Sequence, residues 1–122
     1  MRQTLISKES WDRFLEQFGR QHRGWLTSIE TVRADERTKV LATDTRLEDV
    51  SLESDERVQV TVTDKAQADE PIVHVIDKPA RIFMEMTDDR KHAGLRVETV
   101  DNESHNLVFR AAAAPETLDG LA

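Results

Sequence analysis

Pro71 to Thr87, PIVHVIDKPARIFMEMT, is where apolar residues crowd most densely in the chain. Read with a period of two, Ile72, His74, Ile76, Ala80, Ile82, Met84 and Met86 share one parity, while Val73, Val75 and Phe83 share the other. Apolar side chains on both parities predict a segment covered on both faces, at the centre of a β-sheet. Asp77-Lys78-Pro79 interrupts the run. Proline has no N–H to give to a ladder, so a bend or bulge is expected there, joining two strands.

Upstream, a different period rules. Trp11, Phe14, Leu15 and Phe18 stand at i, i+3, i+4 and i+7, the spacing that places four large apolar groups on one stripe of a helix over about residues 8–23. Ser7 suits the N-cap, Ile6 is placed to staple against Trp11, and Arg20, His22 and Arg23 complement the negative end of the helix dipole. Gly24 fits the C′ position that ends it. An aromatic stripe at this spacing is core far more often than a binding site, and its expected task is to close an open end of the sheet.

From Trp25 onward short strands alternate with turn signals. WLTSIETV (25–32) and KVLATD (39–44) are the first two strands, and TRLEDVSLES (45–54) changes parity between Leu47 and Val50, which predicts a bulge at Glu48-Asp49. RVQVTVTD (57–64) turns Val58, Val60 and Val62 to one side and polar residues to the other. GLRVETV and HNLVFRA flank DNES as a hairpin, with Val97 expected opposite Leu107 or Phe109. The fold class is therefore α+β: an N-terminal amphipathic helix followed by a mostly antiparallel, strongly bent sheet or small β-barrel of about six to seven strands. Residues 1–114 form one domain, and 115–122 are expected to fray.

The totals limit the chemistry. Among 122 residues there is no cysteine, which excludes disulfides, thiolate metal sites and cysteine nucleophiles and permits a reducing compartment. No window is apolar and long enough for a membrane span or a signal peptide, so a soluble, cytoplasmic protein is expected. Lys and Arg number 17 against 24 Asp and Glu, a net charge of −7, which opposes attraction to nucleic acid or anionic lipid. No G-x-S-x-G elbow, Walker loop or dinucleotide fingerprint occurs, and no cofactor is expected.

The four histidines, His22, His74, His92 and His105, show no metal-binding spacing. Asp88, Asp89 and His92 share one loop and form the weak candidate for a divalent ion, although exposed acidic loops are common without one. His74 lies in the densest apolar run and is the histidine whose pKa should shift most, though a satisfied sheet-face histidine is the commoner case. Glu85, flanked by Met84 and Met86 and sharing the parity of Arg81, completes a candidate pocket of His74, Arg81 and Glu85. A simple ion pair of Glu85 with Arg81 is the plainer account.

WDRFLEQFGRQHRGWL, TRLEDVSLESDERVQVTV, PIVHVIDKPARIFMEMTDD, GLRVETVD and LVFRAAAAPETLDG together resemble family 5335 of bacterial domains of unknown function. The matching elements are Trp11 and Phe14, Arg20 to Leu26, Leu47 to Val50, His74 to Arg81, and Leu107 to Arg110. The resemblance implies no activity. In architecture alone, the expected helix and bent sheet are similar to Sm-like and SH3-like barrels, which is analogy of fold and not of function. Three readings follow: a non-enzymatic module for self-association or a protein partner, a ligand-binding or enzymatic domain with a pocket near His74 and Arg81, and an RNA-binding Sm-like oligomer.

Overall fold

A computed structural model describes residues 2–33, 37–64, 70–89 and 91–113, with the side chains of 111–113 left aside. The expected fraying tail, 115–122, lies outside the described residues. In chain order the elements are β1 (Arg2–Ile6), a 3-10 turn (Lys8–Ser10), α1 (Trp11–Gln21), β2 (Leu26–Val32), β3 (Thr38–Leu52), β4 (Val58–Asp64), β5 (Glu70–Ile76), β6 (Pro79–Met86), β7 (His92–Thr99) and β8 (Ser104–Ala113). All eight described strands join one antiparallel sheet in the order β1-β6-β7-β8-β2-β3-β4-β5.

The class is α+β as expected, with three differences. A strand precedes the helix: Arg2 to Ile6 pairs with Met86 to Ile82. The segments 39–44 and 45–54 are one strand, β3, which serves two neighbours in turn, Thr38 to Arg46 against β2 and Arg46 to Leu52 against β4. It turns between them at Asp44, whose φ of 52° is tolerated by a short polar side chain. Finally, the sheet is not closed, because β1 and β5 stand at its two ends.

The bulge expected near Glu48 is present: Leu47 faces Val62 and Asp49 faces Thr61, leaving Glu48 as the extra residue. The corner at Asp77-Lys78 is also present, with Lys78 at φ 51° between β5 and β6. The two halves of the apolar segment part company there. β6 lies inside the sheet between β1 and β7, whereas β5 is an end strand with Val73 53% and Val75 38% exposed. Central placement of the whole segment is thus corrected: high apolar density reports β propensity, not the number of neighbours a strand acquires.

The core lies on the concave side. Trp11, Leu15 and Phe18 of α1 bury against Leu47 and Val50 of β3, Val58, Val60 and Val62 of β4, Ile82 of β6, Leu95 and Val97 of β7, and Leu107 and Phe109 of β8. The Trp11 indole N–H donates to the Ile6 carbonyl at 3.1 Å, so the helix start is tied to the end of β1. Ser7 caps the 3-10 turn without a side-chain bond to the backbone, and α1 itself begins only at Trp11. The helix ends at Gln21 with His22 as its C-cap, so Gly24, at φ 87°, lies one residue beyond the C′ position expected for it and closes the turn that follows.

Two glycines allow close approach. A Cβ on Gly19 would lie 2.7 Å from the Val50 amide nitrogen, and one on Gly94 only 2.0 Å from the Leu107 carbonyl oxygen. Gly94 also sits at the register shift in the β7–β8 pair. Across that hairpin Val97 faces His105 and Leu95 faces Leu107, so the partner of Val97 is two residues from the expected Leu107 and four from Phe109.

Gly94→Ala is expected to lower the stability read from a urea titration by about 1–3 kcal/mol, because backbone rather than a flexible side chain must yield. Phe18→Ala, which empties a site 1% exposed, should cost about 3–5 kcal/mol in the same titration.

Candidate functional site

The four histidines, scattered in sequence, meet as two pairs on the concave side. His22 follows the last turn of α1 and is fully buried. Its Nδ1 lies 2.7 Å from the Phe18 carbonyl oxygen. A carbonyl only accepts, so Nδ1 carries the proton, and Nε2 presents a lone pair. That lone pair accepts from His92 Nδ1 at 2.8 Å. The His22 ring stacks on Phe109 with centroids 4.9 Å apart and meets the Trp25 edge at 4.7 Å. Burial holds the His22 pKa down at about 4 despite the Phe18 bond, and burial lowers that of His92 as well.

The second pair joins strands that share no ladder. His74 Nε2 of β5 lies 3.0 Å from His105 Nδ1 of β8, and three strands separate β5 from β8 in the sheet order. The sheet must curl for them to meet. Burial, then the neighbouring His105, lowers the His74 pKa to about 4. His105 is also lowered by burial, against the pull of Glu103 and Asp77. Five residues along β7 separate His92 from Val97, the partner of His105, so the two pairs are roughly 17 Å apart.

Both pairs are neutral imidazoles satisfying one another, an arrangement that fastens elements together. His22–His92 fixes the end of α1 to the start of β7, and His74–His105 fixes an end strand across the concavity. Among the described residues no three His, Asp or Glu side chains converge as metal ligands.

The residues singled out in the sequence are distributed as follows. His74 faces inward with Ile72 and Ile76, but Arg81 and Glu85 lie on the opposite parity of β6, facing outward. Arg81 Nε donates to Glu98 Oε1 at 2.9 Å, and Arg96 holds the other oxygen of Glu98. The expected Arg81–Glu85 pair is therefore replaced by a cross-strand one, and His74 is joined to His105 rather than to Arg81. Of the loop Asp88, Asp89 and His92, His92 turns in to His22, while Asp89 accepts from the Thr87 hydroxyl and pairs with Lys91. That Thr87 bond lowers the Asp89 pKa.

A cleft of about 660 Å³ opens between the turns that follow β3, β5 and β7 and the start of the helical segment, lined by Lys8, Trp11, Arg57, Lys78 and Asp101. Its charges are mixed and mutually engaged: Arg57 bonds Asp55 and faces Asp77 at 3.9 Å. The more distinctive surface is at β5. From Ile72 to Ile76 this end strand carries no charged side chain, since His74 is neutral, and Val73 and Val75 point outward.

DUF5335, a family of unknown function, matches residues 2–118, and the chain belongs to that family. No curated protein and no solved structure matches it. No described helix is long and apolar enough to cross a membrane.

The histidine pairs make stability depend on pH in a defined direction. All four folded-state pKa values lie below the ordinary 6.5, so on acidification the unfolded chain takes up protons first. Stability should be complete above about pH 7 and decline between roughly 6.5 and 4, with His22 alone accounting for at most about 3 kcal/mol. Urea titrations at pH 7.5 and 4.5 check this, and replacing both members of one pair, as in H22F/H92L, should reduce the dependence to the share of His74 and His105.

Proposed function

We propose that this DUF5335 member is a non-enzymatic interaction module that associates with further copies of itself, or alternatively with a protein partner, through the exposed end of its sheet. The observation that carries the reading is β5: an end strand whose Ile72–Ile76 stretch lacks charge and whose Val73 and Val75 are 53% and 38% exposed. Sheet edges left to face solvent are normally blunted with Lys, Pro, bulges or covering loops, because their free N–H and C=O groups template further pairing. Here the one proline, Pro71, stands at the start of the strand, and Ile72–Ile76 pair with β4 alone among the described strands.

The ligand-binding or enzymatic reading near His74 and Arg81 has less support, since the two side chains leave opposite faces of the sheet. RNA binding is disfavoured by the net charge of −7. A soluble domain of the bacterial cytoplasm is part of the same reading, in keeping with the lack of cysteine.

Sedimentation velocity over a hundredfold concentration range tests the proposal. The wild-type chain is expected to form a defined multiple of its monomer mass. V73K/V75K, with an unchanged circular dichroism spectrum, should weaken association at least tenfold. A wild-type monomer at every concentration that also cross-links to no protein partner would sink the reading.

A further inference from the structure

The edge needs a mate, and among the described residues the sheet has a second strand with a partner on one side only. β1 closes the other end of the sheet, with Gln3, Thr4, Leu5 and Ile6 uncharged and Leu5 59% exposed. A hollow of about 310 Å³ lies against it, between Leu5 and Ile6 on one side and Arg13, Phe14 and Gln17 of α1 on the other. Each end strand thus presents an exposed apolar side chain, Leu5 on β1 and Val73 on β5. Resting on the self-association reading above, we infer that β5 of one copy adds as an antiparallel strand to β1 of the next, so that the interface is head-to-tail rather than two-fold.

The faces of the two strands select the register. In β1, Leu5 and Gln3 share the outer face with Phe83 and Glu85, while Ile6 and Thr4 stand beside Ile82 and Met84 on the inner face. In β5 the outer residues are Val73 and Val75, and the inner ones are Ile72, His74 and Ile76. Pairing Leu5 with Val73 sets Ile6 against Ile72, Thr4 against His74, Gln3 against Val75 and Arg2 against Ile76. Every residue of β1 is then used, inner meets inner and outer meets outer. A slip of one residue would oppose the faces. A slip of two in one direction brings Pro71 against Leu5, where proline has no N–H to give to the ladder. A slip of two in the other runs past the end of β5 at Ile76.

In the favoured register Pro71 falls just beyond Ile6, where no strand partner is required, and Glu70 comes level with Lys8, an opposite charge. A two-fold pairing of β5 with β5 would also align valines, but it would leave Leu5 and the hollow beside it uncovered on every copy. The head-to-tail pairing covers both ends of each subunit, and it yields a ring where the rotation closes.

Complementation between two defective chains tests this. V73K/V75K spoils β5 and leaves β1 intact; L5K spoils β1 and leaves β5 intact. Both substitute exposed side chains, and circular dichroism checks their fold. Each variant alone is expected to sediment as a monomer, and an equimolar mixture as a one-to-one heterodimer. If L5K still assembles by itself, β5 pairs with β5, and the head-to-tail inference falls while self-association stands. If the wild-type chain assembles but the mixture remains monomeric, the inference also falls. A wild-type chain that is itself monomeric overturns both.

Discussion

The structure depends on one strand doing the work of two. β3 must leave β2 and join β4 within fifteen residues, and it does so by a left-handed residue at Asp44 and an extra residue at Glu48. This double bend brings Leu47 and Val50 under the helix, where Gly19 permits the helix backbone to approach the Val50 amide. Without it the sheet would be too flat to enclose Leu15 and Phe18, and α1 would have only one wall to bury against. Twist alone curves a sheet gradually; a bulge concentrates the turn where the helix needs it.

The same curl explains the histidines. Strands β5 and β8 are not neighbours in the sheet, yet His74 and His105 are within hydrogen-bond distance. A charged pair there would lose hydration and repel; a neutral pair gives each ring a partner without that cost. Low pKa values are therefore a consequence of using imidazole as a fastener between buried surfaces. At His22 the identity of the proton is settled by the Phe18 carbonyl, so the direction of the His92 bond follows from the helix end itself.

Much of this was legible in the sequence where the determinant is local. The valines of β4, the Glu48 bulge and the Asp77-Lys78 corner each depend on a few adjacent residues, and each stands where the pattern placed it. β1 was not legible, because its five residues hold only two adjacent apolar side chains and acquire strand character from pairing with β6. The histidine pairs were half legible. Parity turned His74 inward with Ile72 and Ile76, but its partner is 31 residues away, and His22 and His92 are 70 apart. Only the topology brings them together.

β5 shows why the densest apolar segment is an end and not a centre. Its inner parity, Ile72, His74 and Ile76, supplies the core and the fastener, which accounts for half of the apolar run. Its outer parity has no such task within the monomer, since Val73 and Val75 face Thr61 and Gln59 on β4 and otherwise water. Two valines contribute little to the fold from there, and a polar pair would serve it as well. The net charge of −7 resists indiscriminate contact between copies. An uncharged end strand on an otherwise heavily charged chain would confine close approach to an aligned edge, and the outward valines of β5, surplus to the core, are what the proposed interface would use.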